Sequence, residues 1–114
     1  MKSLPRILLI SILSTFCFSS LAFAQNKKVV FLADRGKNTE VHAHESGNAI
    51  LANALEESKL GFDTAQFKGW PTDPKAFDGA DSVVIFCNGG KGHLVMNHLD
   101  QFEKLIDSGV GFVF

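Results

Sequence analysis

The chain has almost no means of cross-linking itself. It carries two cysteines in 114 residues, Cys17 and Cys87, and Cys17 falls within the first 24. Those 24 residues read as a secretory signal. Lys2 and Arg6 form a basic start, Ile7 to Leu21 is largely apolar, and Ala22-Phe23-Ala24 supplies a small-x-small cleavage site. Cleavage there leaves Cys87 alone, so no intramolecular disulfide forms in residues 25–114. The apolar stretch is too short and too rich in serine for a membrane span of about 20 residues, and Ser14-Thr15-Phe16 is not a lipoprotein lead-in to Cys17. An excess of charge is also missing. The formal net charge of −1 becomes −3 when Lys2 and Arg6 leave with the signal. A mildly acidic chain without a basic cluster is poorly suited to nucleic acid. There is no internal repeat, no low-complexity tract and no Cys-x-x-Cys pair. Nor is there a Walker loop, because Gly92-His93 stands where Gly-Lys-Ser/Thr is required. The expected product is periplasmic or secreted, with a signal peptide at 1–24, a domain at 25–114 and no stable membrane span after cleavage.

What remains alternates regularly. Lys28 to Ala33 is a continuous apolar run of strand length, suited to a strand covered on both faces. From Glu45 to Ser58, Ile50, Leu51, Ala54 and Leu55 recur at helical spacing, with Glu56 and Glu57 turned outward and Gly61 as the stop. Phe62 to Phe67 alternates as a second strand, less apolar and therefore nearer an edge. Gly69-Trp70-Pro71 breaks the pattern, and Asp73 to Ala80 reads as a turn or one short helical stretch. Ser82 to Cys87 is a third apolar strand, with Cys87 as a small buried hydrophobe that has no neighbouring base in sequence. Leu94 to Ser108 reads as a second helix with Val95, Leu99, Phe102 and Ile106 on one stripe, widened by Leu105, and Gly109 as its cap. Val110 to Phe114 then begins a fourth strand.

Strands alternating with helices imply a parallel sheet and a doubly wound α/β fold, flavodoxin-like, with strand order 2-1-3-4 and helices on both faces. The sequence stops inside an apolar strand. The expectation is an amino-terminal part of a longer protein, truncated in its fourth strand, with a small domain completed by a partner as the alternative.

In such a sheet ligands bind beyond the carboxyl ends of the strands. Two loops sit there, Asp34 to about His44 after the first strand and Asn88-Gly89-Gly90-Lys91-Gly92-His93 after the third. The first is longer than the 2–6 residues typical of a βα connection, which marks it as functional. Asp34, His42, His44 and His93 are candidates to meet, and imidazole with carboxylate suits a divalent metal such as zinc. The His42-x-His44 pair points one way only if that segment is extended. Polar loop histidines without a metal are the alternative. Asn88, Gly89 and Gly90 could bring backbone N–H groups close to a ligand oxygen, with a helix amino terminus behind them. A plain tight turn is the alternative there. His98, on the second helix, reads as a packing or capping residue.

These residues together resemble the amino-terminal half of a ThuA-like domain, the trehalose-utilisation family with a class I glutamine amidotransferase-like fold. The resemblance is carried by Val29-Val30-Phe31-Leu32-Ala33, by His42-x-His44-x-x-Gly47 opening the first helix, and by Gly69-Trp70-Pro71-Thr72-Asp73-Pro74. Phe77-Asp78-Gly79-Ala80-Asp81, Gly89-Gly90-x-Gly92-His93-x-Val95-x-x-His98-Leu99 and Gly109-Val110-Gly111 complete it. It implies a role near sugar metabolism, a small-molecule carbohydrate as ligand, and His42, His44, Gly89, Gly90 and His93 as site residues with metal binding open. Gly36-Lys37-Asn38 departs from the Ser-His-Gly-like stretch of many members, and Cys87 does not sit on the nucleophile elbow of the wider fold. Three outcomes are compatible with this reading: a sugar-acting enzyme, a carbohydrate- or metal-binding module without turnover, and a truncated product without activity. The catalytic residues and the oligomeric state are not fixed by the sequence.

Overall fold

A strand of seven residues, each flanked by others that can pair with it, organises the molecule. The computed structural model describes residues 25–34 and 43–114. Residues 1–24, read above as a signal, and residues 35–42, with His42, lie outside the described residues. β1 (Lys27–Ala33) is followed by α1 (His44–Glu57), β2 (Phe62–Lys68), a 3-10 turn (Pro74–Phe77) and β3 (Ala80–Phe86). Two further 3-10 turns (Gly90–Gly92 and Leu94–Asn97) lead into α2 (Leu99–Asp107) and β4 (Gly111–Val113). The four strands form one all-parallel sheet in the order β2-β1-β3-β4. The fold is therefore α/β with the expected strand order, and β2 is an edge strand as its weaker apolar pattern requires.

The two faces of β1 divide the core. Val30 and Leu32 point to one side, where Trp70, Phe77, Val83, Ile85 and Val95 join them, backed by Phe102 and Leu105 of α2. Val29 and Phe31 point to the other, against Ala52 and Leu55 of α1 with Phe62 and Val84. A strand buried on both faces explains the unbroken Val-Val-Phe-Leu-Ala run. The β1–β3 register slips between Lys28 and Val29. There Asp81 accepts the Lys28 backbone N–H (2.8 Å) and the Lys27 ammonium (2.7 Å) through its carboxylate. These bonds hold the Asp81 carboxyl below its ordinary value, the Lys27 hydrogen bond first and the Lys28 amide second.

Several element boundaries differ from the sequence expectation. α1 buries His44, Asn48 and Ala52, whereas Ile50 is 70% and Leu51 52% exposed. The apolar stripe of Ile50, Leu51 and Ala54 faces outward, and only Leu55 of that set packs on the core. α1 ends at Glu57 with Ser58 as its cap, and the left-handed residue after the cap is Lys59 (φ 57°), with Gly61 (φ 82°) completing the turn into β2. The second helix is shorter than its periodicity suggests. Leu94–Asn97 is a 3-10 turn and α2 starts at Leu99, so Val95 is buried from a separate turn while Leu99 and Ile106 are about half exposed. Gly109 (φ 91°) does cap α2, donating to the Ile106 carbonyl at 2.8 Å. Among the described residues no helix is long and apolar enough to cross a membrane.

Candidate functional site

The carboxyl end of β1 places Asp34 directly beside the start of α1. Asp34 is 8% and His44 3% exposed, and His44 Nδ1 lies 2.7 Å from Asp34 Oδ1. The other carboxylate oxygen accepts the backbone N–H of Asn88, just beyond β3, at 3.2 Å. One carboxylate therefore joins the ends of β1 and β3 to the first residue of α1. These strands are neighbours whose following segments depart to opposite faces of the sheet, so the crevice between them is a topological switch point.

The local sequence explains how the pair forms. Ala43 adopts a left-handed conformation (φ 43°, ψ 39°) and its carbonyl accepts the Gly47 N–H at 2.9 Å, turning the chain sharply into the helix. That turn sets His44 on the buried side. The segment is therefore not extended at Ala43, and the alternation that would aim His42 and His44 the same way does not apply. Glu45 in the first turn complements the helix dipole. The His44 ring meets Phe86 edge-on, with centroids 4.5 Å apart. Phe86 reaches this position because residue 47 is glycine: a Cβ there would lie 2.8 Å from Phe86 Cε1. With Asp34 ionised, its oxygen accepts the proton of His44 Nδ1 and fixes the orientation of the ring. An imidazole oriented in this way can act as a base or as a metal ligand with a carboxylate behind it.

The second loop is arranged differently. Asn88, Gly89 and Gly90 are exposed, and Gly90 takes a left-handed φ of 73°. They run into a 3-10 turn, not into a helix, and α2 begins only at Leu99. The helix-terminus potential expected behind this loop is thus absent from it. His93 uses Nδ1 to accept the Val95 backbone N–H (3.3 Å) and stacks obliquely near Phe114, with centroids 5.5 Å apart. It lines a shallow cleft with Gly69, Trp70, Asn97 and His98 on the α2 side of the sheet. His98 lies flat on Trp70 (4.8 Å, 7° between planes), the packing role expected of it, and Trp70 donates Nε1–H to Gln101 at 2.7 Å. Cys87 is partly buried against the core. Among the described residues no group of three or more His, Cys, Asp or Glu side chains is placed to hold a metal ion.

Of the residues singled out in sequence, the structure brings together Asp34, His44 and the Asn88 amide. It sets His93 apart, and His42 lies outside the described residues. Sequence reasoning missed Phe86 and Asn48, and named Gly47 only within the family resemblance. Asn48 stands one turn after His44, and its i, i+4 spacing was the available signal. No family model, curated protein or solved structure matches the chain.

Proposed function

We propose that this chain is a ThuA-like domain with a class I glutamine amidotransferase-like, flavodoxin-like fold, exported by the signal at 1–24, that binds a small-molecule carbohydrate at the β1/β3 switch point. Trehalose or a related disaccharide is the ligand class. The observation that supports this most directly is the buried Asp34–His44 pair tied to the Asn88 amide, because a carboxylate and an imidazole are desolvated together where an open parallel sheet takes its ligands. Asp34 orients the ring, and the exposed Gly89 and Gly90 follow Asn88 at the same end of the sheet. This chemistry suffices for binding. A second reading follows from the same pair. A carboxylate behind a histidine is the usual support of a metal ligand, and with His42 it would hold a divalent ion such as zinc.

Calorimetric titration of trehalose into the full chain tests the first reading. Binding by the wild type that is lost in His44→Ala supports it, and equal binding by the two proteins removes the site. Adding zinc to the same pair of samples separates the readings, since only the second requires metal-dependent stabilisation that His44→Ala abolishes.

A further inference from the structure

Among the described residues, one buried side chain has polar atoms with no hydrogen-bond partner. Asn48 is 2% exposed, and neither its Oδ1 nor its Nδ2 is satisfied. Buried polar groups are nearly always paired, and an unpaired amide is strongly disfavoured against an apolar side chain of similar size. Asn48 borders a cavity of about 80 Å³ between α1 and the carboxyl ends of β1 and β2, lined also by Phe31, Ala33, Glu45, Gln66 and Lys68. A single water needs roughly 10–15 Å³ on the same measure, so the cavity admits several water-sized groups. It does not admit a whole disaccharide.

The lining specifies the chemistry of the occupant. Glu45 Oε2 and Lys68 Nζ are paired at 3.1 Å, so neither charge stands alone at the cavity. The Asn48 amide offers an acceptor and a donor side by side, and Gln66 brings a second amide. A hydroxyl both donates and accepts, and two neighbouring hydroxyls match an amide edge. Phe31 supplies an apolar wall for the carbon skeleton. Asn48 is one helical turn from His44 on the same face of α1, so a ligand held at Asp34–His44 lies next to this cavity. We propose that the cavity is a subsite for a pair of hydroxyls of a neutral polyol or sugar, read by Asn48. The assignment rests on the carbohydrate reading above for the class of ligand.

The test uses the full chain labelled with ¹⁵N, titrated with trehalose and with glucose, and with inorganic phosphate for comparison. Both sugars shift the Asn48 side-chain amide resonances, and phosphate does not. Asn48→Leu, which removes the unpaired amide, melts at or above the wild type without ligand and binds sugar about tenfold more weakly or worse, the effect of losing two hydrogen bonds. Asn48 resonances unmoved by saturating sugar mean that the cavity holds water only, and overturn the subsite whether or not the variant folds. Wild-type affinity in Asn48→Leu alongside weakened binding in His44→Ala removes the subsite and leaves the switch-point site standing. Absence of sugar binding by the wild type removes both.

Discussion

Replacing Asp34 with alanine is the sharpest test of the switch-point geometry. The carboxylate makes a 2.7 Å bond to a ring nitrogen that is almost fully buried and a 3.2 Å bond to the partly buried Asn88 amide. Hydrogen bonds to a charged partner contribute about 1.5–3 kcal/mol each, and the longer, wetter one belongs at or below the bottom of that range. Asp34→Ala also leaves a buried imidazole N–H without its acceptor. The expected loss is about 3 kcal/mol, which for a domain of this size lowers Tm by about 15 °C. Asp34→Asn keeps an acceptor and the volume, and loses about half as much. Urea denaturation followed by far-UV circular dichroism gives the values, and a cycle with His44→Ala isolates the pair. A coupling of about 1–3 kcal/mol is expected for two groups in direct contact. If Asp34→Ala stays within about 0.5 kcal/mol of the wild type, the change is no larger than an ordinary surface substitution and the pair does not organise the site.

Two further tests lie away from the crevice. Because the folded-state value of the Asp81 carboxyl is held below the ordinary one, its bonds to Lys27 and Lys28 support the fold above the ordinary carboxylate value of about 4 and are lost as pH falls through the lower folded value. Urea midpoints measured from about pH 6 down to pH 2 should therefore fall less steeply in Asp81→Asn than in the wild type, and parallel curves would contradict the account. Trp70→Phe removes the Nε1–H bond to Gln101 and trims the stack on His98, for an expected loss of about 1–2 kcal/mol by chemical denaturation. A variant as stable as the wild type would mean that this bond does not hold α2 to the sheet.

The sheet was legible because burial on both faces leaves a direct mark. β1 and β3 are nearly continuous apolar runs, β2 alternates, and these differences place the first two inside the sheet and the third at its edge. Asp34 and His44 were legible as chemistry, since a polar residue ending a buried strand needs a partner. Their bond was not, because it depends on the left-handed turn at Ala43, a residue with no intrinsic preference for that conformation. His93 is the opposite case. It was grouped with the other histidines by its place after β3, but the run of 3-10 turns that begins at Gly90 carries it to the α2 side of the sheet, into the cleft with Trp70. The second helix was drawn too long for a related reason. Val95 is in phase with Phe102, yet His98 and Trp70 stack where the helix would have continued.

The failure of periodicity in α1 carries information of its own. Its most hydrophobic residues, Ile50 and Leu51, face outward, while His44 and Asn48 are buried with Ala52. Burying a large aliphatic side chain is worth about 1.5–3 kcal/mol, so a helix free to choose its rotation would turn those residues inward. Three contacts hold it otherwise: the His44 bond to Asp34 at its first residue, the Phe86 ring filling the space above Gly47, and Ala52 against Val29 and Phe31. The small residues at 47 and 52 let the helix approach closely in this phase. A local rule of folding is broken here in favour of two polar side chains, and such breaks mark functional positions. The stripe that hydrophobicity predicts and the stripe that the fold buries therefore differ by the residues that the site requires.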